Sequence, residues 1–342
     1  MIDLRSDTVT KPTKEMIDAM LKAEVGDDGY KEDPTVNKLE EIASTILEKE
    51  AALFMPSGTM ANQVAIKTHT NLGDEIIAES NSHILTSEMG APAIISSVLI
   101  RTAQSIKGVL DPKSVEELIR DQDNVPKTSL LCIENTHNKE GGTVTSLERI
   151  KELAKLAKAH NISTHMDGAR IFNASIALGV KAADLVSEVD SVMFCLSKAL
   201  SAPAGSILLG KKEFIDKARI NRRLLGGQMR QIGFLAAAGI IALEQMIDRL
   251  EEDHQKAKKL AEGLMNINKI NLDYSRVQTN IVIFDISPLG VGSKRFLQEL
   301  EDHGIKAFPF SNNIIRMVPT RHTTNSDIER TIKAVKEITK QI

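Results

Sequence analysis

The 342-residue chain reads as an α/β protein. The expected architecture is a large domain with a mostly parallel, seven-stranded sheet between helices, followed by a small C-terminal α+β domain. Three observations predict it. Between residues 51 and 210, seven short apolar runs alternate with amphipathic stretches, the pattern of buried parallel strands joined by crossover helices. Beyond residue 210 the pattern turns helical, and near residue 280 it changes to strands and helices of a different spacing. At roughly 100 to 200 residues per domain, the length accommodates two domains. The boundaries are expected at 1–250 and 251–342, with an N-terminal arm over 1–13.

Apolar residues at helical spacing (Met16, Ile17, Met20, Leu21, then Val36, Leu39, Ile42, Ile46) mark two helices before residue 50. A turn-rich stretch, 26–34, separates them. Strands are predicted over 51–55, 75–79, 97–101, 129–134, 163–166, 191–196 and 206–210. Helices follow over 211 to about 224 and 229 to about 264, the second long enough to bridge two domains. In the small domain, strands are expected at 280–285, 306–308 and 314–318, with helices at 293–303 and 327–338.

Composition narrows the function. Apolar residues make up 42% and charged residues 26%, with 43 Lys plus Arg against 46 Asp plus Glu. That excludes disordered and fibrous classes. The charges are mixed along the chain, so neither nucleic acid nor an anionic membrane is an expected partner. The longest mainly apolar run, 232–243, is far short of the ~20 residues of a membrane-spanning helix. The first residues have no basic region ahead of an apolar stretch, and the expected location is cytoplasmic. Cys132 and Cys195 both sit in apolar runs, consistent with a reducing compartment and no disulfide. No G-x-G-x-x-G supports a dinucleotide. Gly205 to Lys212 imitates a phosphate-binding loop but puts Lys212 where Ser or Thr would hold magnesium. The zinc motifs are missing as well, and no metal is expected.

Three strand ends carry chemistry. Ser57-Gly58-Thr59 follows the first strand and opens a helix, whose free N–H groups make a phosphate cradle. Asp167 and Arg170 stand at the carboxyl edge of the sheet, where open α/β folds bind ligands. Lys198 directly abuts an apolar run, where a lysine amine can form a Schiff base. Singly, these are a helix cap, an ion pair and a solvated strand-end lysine. Together they meet the needs of pyridoxal 5'-phosphate (PLP): an amine for its aldehyde, an acid for its pyridine nitrogen and a cradle for its phosphate. His83, after another strand, is placed to stack on the ring or to move protons.

At these residues the chain resembles the L-threonine aldolases of the low-specificity L-allo-threonine/L-threonine type, which are fold-type I PLP enzymes. The strings are Asp3-Leu-Arg-Ser-Asp7-Thr8, Gly26-Asp-Asp, Glu32-Asp-Pro34, Pro56-Ser-Gly-Thr-Met60, Ser82-His83, Glu134-Asn-Thr-His137-Asn, His165-Met-Asp-Gly-Ala-Arg170, Phe194-Cys-Leu-Ser-Lys198, Gly226-Gly227, Met229-Arg230-Gln231 and Arg316. They occur in order over nearly the whole chain. The resemblance implies Lys198 as the PLP lysine, Asp167 on the pyridine nitrogen and His83 on the ring. It also implies Ser57, Gly58 and Thr59 at the phosphate, with Arg230 as a further contact lent by a neighbouring subunit. Ser6, Tyr30, Arg170 and Arg316 would serve the substrate, Arg170 alternatively meeting the PLP ring oxygen. A homotetramer built of catalytic dimers is implied too.

The implied reaction is reversible retro-aldol cleavage of an L-3-hydroxy-2-amino acid to glycine and an aldehyde. His83, Glu88 or an activated water is the base. Asn124 stands where many members carry a histidine, and Thr86 and Ser87 where aromatic residues are common, which bears on diastereomer and aldehyde preference. The residues alone leave rivals open: a β-eliminating lyase or aminotransferase using the same cofactor, a metal hydrolase built on His165 and Asp167, or a binding protein of the same fold.

Overall fold

The computed structural model describes residues 1–120 and 122–342. Seven strands, β1 (Ala51–Met55), β2 (Glu75–Glu79), β3 (Leu99–Ala103), β4 (Thr128–Glu134), β5 (Ser163–Asp167), β6 (Ser191–Cys195) and β7 (Ser206–Gly210), form one sheet in the order β1-β7-β6-β5-β4-β2-β3. Neighbours run parallel except at β7, which is antiparallel to both β1 and β6. Every residue of β2, β6 and β7 is buried, because helices cover both faces. Alternation along each strand sorts the core. Ala52, Phe54, Val192, Phe194, Ile207 and Leu209 pack on one side, and Leu53, Met55, Met193, Cys195 and Leu208 on the other.

On the first side lie α1 (Lys14–Leu21), α2 (Pro34–Ile46), α4 (Leu147–Ala159) and α7 (Gly233–Gln245), and on the second α3 (Gly58–His69) and α6 (Lys212–Leu224). Between α4 and α6 comes α5 (Ile171–Leu178). Good caps start these helices: Asp33 accepts from Thr35 and Val36 N–H ahead of Pro34 in α2, and Ser146 accepts from Arg149 N–H in α4.

The small domain has an antiparallel sheet of β8 (Val282–Asp285), β9 (Phe308–Pro309) and β10 (Ile314–Met317), with β10 in the middle. It is covered by α8 (Leu250–Met265), α9 (Ser293–Asp302) and α10 (Asn325–Gln341) around a core of its own that includes Leu260, Phe284, Phe296, Ile315 and Val335. The N-terminal arm joins this body: Ile2–Asp3 pairs in parallel with Ile305–Lys306, and Leu4 is fully buried in the same core.

Three elements differ from the sequence reading. The third strand begins at Leu99 instead of 97, since Ser97 takes a left-handed φ of 53° as the end of the short helix Ala91–Ser96. The long helix over 229–264 is two, α7 and α8, separated after Gln245; no Gly or Pro marks the break, so apolar periodicity runs through it. The strand over 306–308 divides between the arm pairing and β9, two-residue pieces too short to show a period.

Candidate active site

In the parallel part of the sheet, the chain passes from β2 outward to β3 and returns on the other side of β2 as β4. Such a reversal leaves a crevice at the carboxyl ends of the strands. A cavity of about 390 Å³ opens at that edge, lined among others by Thr8, Ser57, Gly58, Thr59, Asn62, His83, Asp167 and Lys198. The three strand ends singled out in the sequence therefore meet in one place, with His83 beside them.

The α3 start is shaped for an anion. Ser57 caps it by accepting from Met60 N–H, and the N–H groups of Gly58 and Thr59 have no acceptor among the described residues. Only glycine fits at 58: a Cβ there would come within 2.8 Å of Cys195 Sγ and 3.1 Å of Met193 Cε. The helix start thus lies directly on the end of β6.

Asp167 ends β5 and is buried. Burial alone would raise its pKa. The positive charges of His83 and Lys198, with hydrogen bonds from Asn62 Nδ2 (2.7 Å) and Ala169 N–H (3.0 Å), outweigh that and hold it below the usual carboxylate range. A buried anion kept ionised suits a protonated pyridine nitrogen. His83 Nδ1 lies 2.7 Å from Glu88 Oε1, and Glu88 also accepts from Asn62 Nδ2 (2.8 Å) and Gln63 Nε2 (2.5 Å). Burial opposes a charge on His83, but the Glu88 hydrogen bond and the Asp167 charge leave its pKa raised. The backbone N–H of His83 is held by Glu134 Oε2 at 2.6 Å.

His83, Glu88 and Asp167 present ligand-type atoms all within 4.8 Å of one another. The space between the two carboxylates is bridged by the N–H groups of Asn62, so the trio is satisfied as a hydrogen-bonded group. Cys132 is no nucleophile here: it is buried, with its thiol pushed far above its usual range, first by burial and then by the charges of Asp167 and Glu88.

Next to this group two arginines share one acceptor, Asn138 Oδ1, at 3.4 Å from Arg170 Nη1 and 3.2 Å from Arg316 Nη1. Arg170 is bidentate on the buried Asp7, at 2.7 and 2.8 Å. Asp7 is held well below the ordinary carboxylate range: its burial is outweighed by Arg170, by the Lys198 charge and by the Asn280 amide. Arg316 differs. It lies on β10, buried, stacked on Phe308 at 4.8 Å, and its Nε has no partner. No carboxylate pairs with it among the described residues, and burial together with the charge of Arg170 brings its pKa down to about 10. A desolvated guanidinium without a counter-ion is ready for an anionic ligand.

Other expected site residues stand elsewhere in the single chain. Ser6 caps a turn of the arm, accepting from Thr8 N–H and Oγ1. Tyr30 is 74% exposed, and the Arg230 side chain, 68% exposed, pairs with Asp27 at 3.0 Å. Neither lines the cavity of its own chain. Thr86 and Ser87 are exposed, as is Asn124 on the loop before β4. Asn62, Gln63, Asp7 and Asn138 were not singled out from the sequence. They are neutral or N-terminal residues without a motif, although Asp7 and Asn138 fell within matching strings.

Comparison with known proteins fits this geometry. The beta-eliminating lyase family matches residues 3–287, which with the sheet and cavity defines a lyase of the fold-type I PLP class. Low-specificity L-threonine aldolase 1 of Arabidopsis thaliana is 42% identical over 342 residues, 98% of this chain and 96% of that protein. The low specificity L-threonine aldolase of Escherichia coli K12 is 39% identical over 332 residues, 96% and 95%. In structure, Leishmania major threonine aldolase superposes with a TM-score of 0.85 at 20% identity, covering 99% of this chain and all of that one. SPT with its PLP gives 0.78 at 16%, covering 99% and 87%. The chain belongs, within the beta-eliminating lyases, to the low-specificity L-threonine aldolase family. Its cofactor is PLP.

Proposed function

We propose that the protein cleaves L-3-hydroxy-2-amino acids, L-allo-threonine and L-threonine among them, reversibly to glycine and an aldehyde. The supporting observation is the convergence of Lys198, Asp167, His83 and the Gly58–Thr59 helix start on one cavity. PLP supplies the aldehyde that Lys198 and the substrate amine exchange, and a ring that takes up the electrons of the broken Cα–Cβ bond. Lys198 Nζ holds the cofactor covalently. Ser57 and the N–H groups of Gly58 and Thr59 bind its phosphate, with Arg230 added from a neighbouring subunit. Asp167 keeps the pyridine nitrogen protonated, and His83 lies against the ring.

Arg316 takes the substrate carboxylate, with Ser6 and the remaining N–H of Arg170 beside it and Tyr30 contributed from a second chain. That clamp would fix how the substrate sits in the cavity, and so which bond to Cα is set to break. His83 Nδ1–H donates to Glu88, which leaves Nε2 free to take the proton of the 3-hydroxyl, with Glu88 stabilising the imidazolium. The protein is read as a homotetramer of catalytic dimers, cytoplasmic, serving threonine breakdown and glycine formation. No helix among the described residues is long and apolar enough to cross a membrane.

The test is a visible absorption spectrum of the purified protein before and after borohydride, followed by product analysis with L-allo-threonine. A visible band lost on reduction, with glycine and acetaldehyde in equal amounts, is expected. A protein that stays colourless with added PLP sinks the reading. Pyruvate and ammonia from serine, without glycine from allo-threonine, would make it a β-eliminating enzyme.

A further inference from the structure

We propose that Asn62 is a positioning residue of this site: its amide holds Glu88 and Asp167 apart and in place, and His165 locks that amide in one orientation. The inference rests on the reading of the cavity given above. Asn62 is 1% exposed, on the second turn of α3. Its nitrogen carries two protons and meets two different carboxylates, Glu88 Oε1 at 2.8 Å and Asp167 Oδ2 at 2.7 Å. Ionised carboxylates only accept, so the nitrogen must face them and the oxygen must face a donor. That donor is His165 Nε2, 3.1 Å away.

The consequence runs through the sheet. With its proton on Nε2, His165 has a bare Nδ1, which accepts from Ser191 Oγ at 2.9 Å. Ser191 Oγ then accepts from His69 Nε2 at 2.7 Å. Donors point one way, from His69 through Ser191 and His165 to Asn62 and the two carboxylates, and every side-chain proton along the line has an acceptor. Turning the amide over would set its oxygen against two anions and lose three hydrogen bonds at once. Burial, the largest influence on both rings, lowers the pKa of His165 to about 3 and of His69 to about 4, so both stay neutral as the line requires.

At the other end, Glu88 Oε1 also accepts from His83 Nδ1. Holding Glu88 therefore decides which nitrogen of His83 is bare and turned to the substrate. Asn62 lines the cavity but spends both its amide protons on the two carboxylates, so it acts through them. It sets Asp167 for the pyridine nitrogen and, through Glu88, the tautomer of the base.

Nitrogen NMR of the full chain with labelled histidine, with and without PLP, reads the tautomers directly. His83 protonated on Nδ1 and His165 protonated on Nε2 is the expected pair of opposite tautomers. His165 protonated on Nδ1, or His83 on Nε2, overturns the proposal. In Asn62→Leu, PLP affinity should fall about tenfold and kcat by at least as much. The amino-acid KM should move less than about twofold, because the carboxylate clamp is elsewhere, and His83 should show mixed tautomers. A folded variant with PLP affinity within twofold of wild type and an unchanged His83 signal overturns the proposal too. If that variant does not fold, the wild-type spectrum decides. These signals do not depend on which bond the enzyme breaks, so product analysis separates failure of the proposed activity from failure of this inference.

Discussion

At the scale of single residues, electrostatics divides the site into a buried anion held ionised and a buried cation left without a counter-ion among the described residues. Asp167 should be worth several powers of ten. Under the proposed role, Asp167→Asn removes the charge that would keep the ring nitrogen protonated, and since each ~1.4 kcal/mol is tenfold in rate, kcat should fall by about a thousandfold or more. Steady-state kinetics within a few-fold of wild type would contradict the role. Arg316 is proposed above as the substrate carboxylate's ligand. Arg316→Ala should raise KM for allo-threonine about 10- to 100-fold, the value of a charge-assisted hydrogen bond, while PLP affinity measured by absorbance stays close to wild type. That Lys198, Asp167 and His83 would meet at one sheet edge was legible in the sequence because each ends or follows an apolar run that reads as a strand. Asn62 was not, because an asparagine on a buried helix face signals nothing until its carboxylate partners, 26 and 105 residues away, are folded against it. Arg316 was expected as a carboxylate ligand only through the resemblance; its missing counter-ion is a fact of packing.

At the scale of elements, the α3 start and the α5–α8 contact make separate predictions. Gly58→Ala would push a methyl group against Cys195 and Met193, displacing the helix start and its two free N–H groups. PLP affinity, read by titration, should weaken about tenfold, from the loss of one anion hydrogen bond. His254 on α8 lies 3.0 Å from Asn173 Nδ2 on α5, and burial lowers its pKa from 6.5 to about 4. The unfolded chain therefore binds a proton between those values that the folded one refuses. This contribution to stability is complete above pH 6.5 and falls as the pH drops toward 4, by up to ~1.4 kcal/mol per unit. His254→Gln should flatten the loss, as urea unfolding at pH 7 and pH 5 would register; an equal loss in both proteins would disprove the assignment. The elements themselves were largely readable, since strong helical and strand periods fixed most of the strands and helices to within two residues. The exceptions lacked a local signal: the unmarked break between α7 and α8, and the two-residue pairings of the arm and β9.

At the scale of the whole molecule, the proposed function draws on two residues that the chain holds on its own surface, away from its own cavity. Tyr30 and Arg230 stand exposed, and so do the apolar side chains of Ile220, Leu224, Met229 and Phe234. If Arg230 reaches the phosphate of a neighbour, two inactive variants should repair each other. Mixing Lys198→Ala with Arg230→Ala under conditions of subunit exchange should restore activity, because in the mixed dimer one site keeps Lys198 from one chain and Arg230 from the other. No recovery, despite exchange shown by mass, would place Arg230 in the service of its own chain. The seven-stranded sheet and the small domain could be foreseen from alternation along the sequence, whereas the expectation that Arg230 serves a neighbour came only through the resemblance, since a sequence carries no mark of which chain a side chain will serve.

The arm has a consequence of another kind. Its strand lies beside Ile305–Lys306, Asp7 meets Arg170 and Asn280, and Thr10 Oγ1 donates to the Lys198 carbonyl at 2.7 Å. Synthesis delivers these residues hundreds of positions ahead of their partners. During translation the large sheet can assemble from neighbouring strands while the arm stays unplaced, and only when the ribosome has released the segment past residue 306 can the arm dock and tie the lysine's loop to the small domain. Order of manufacture and order of assembly are therefore opposed at the active centre, and a nascent chain cut short before that point would hold its sheet but leave the lysine's loop untied from the small domain.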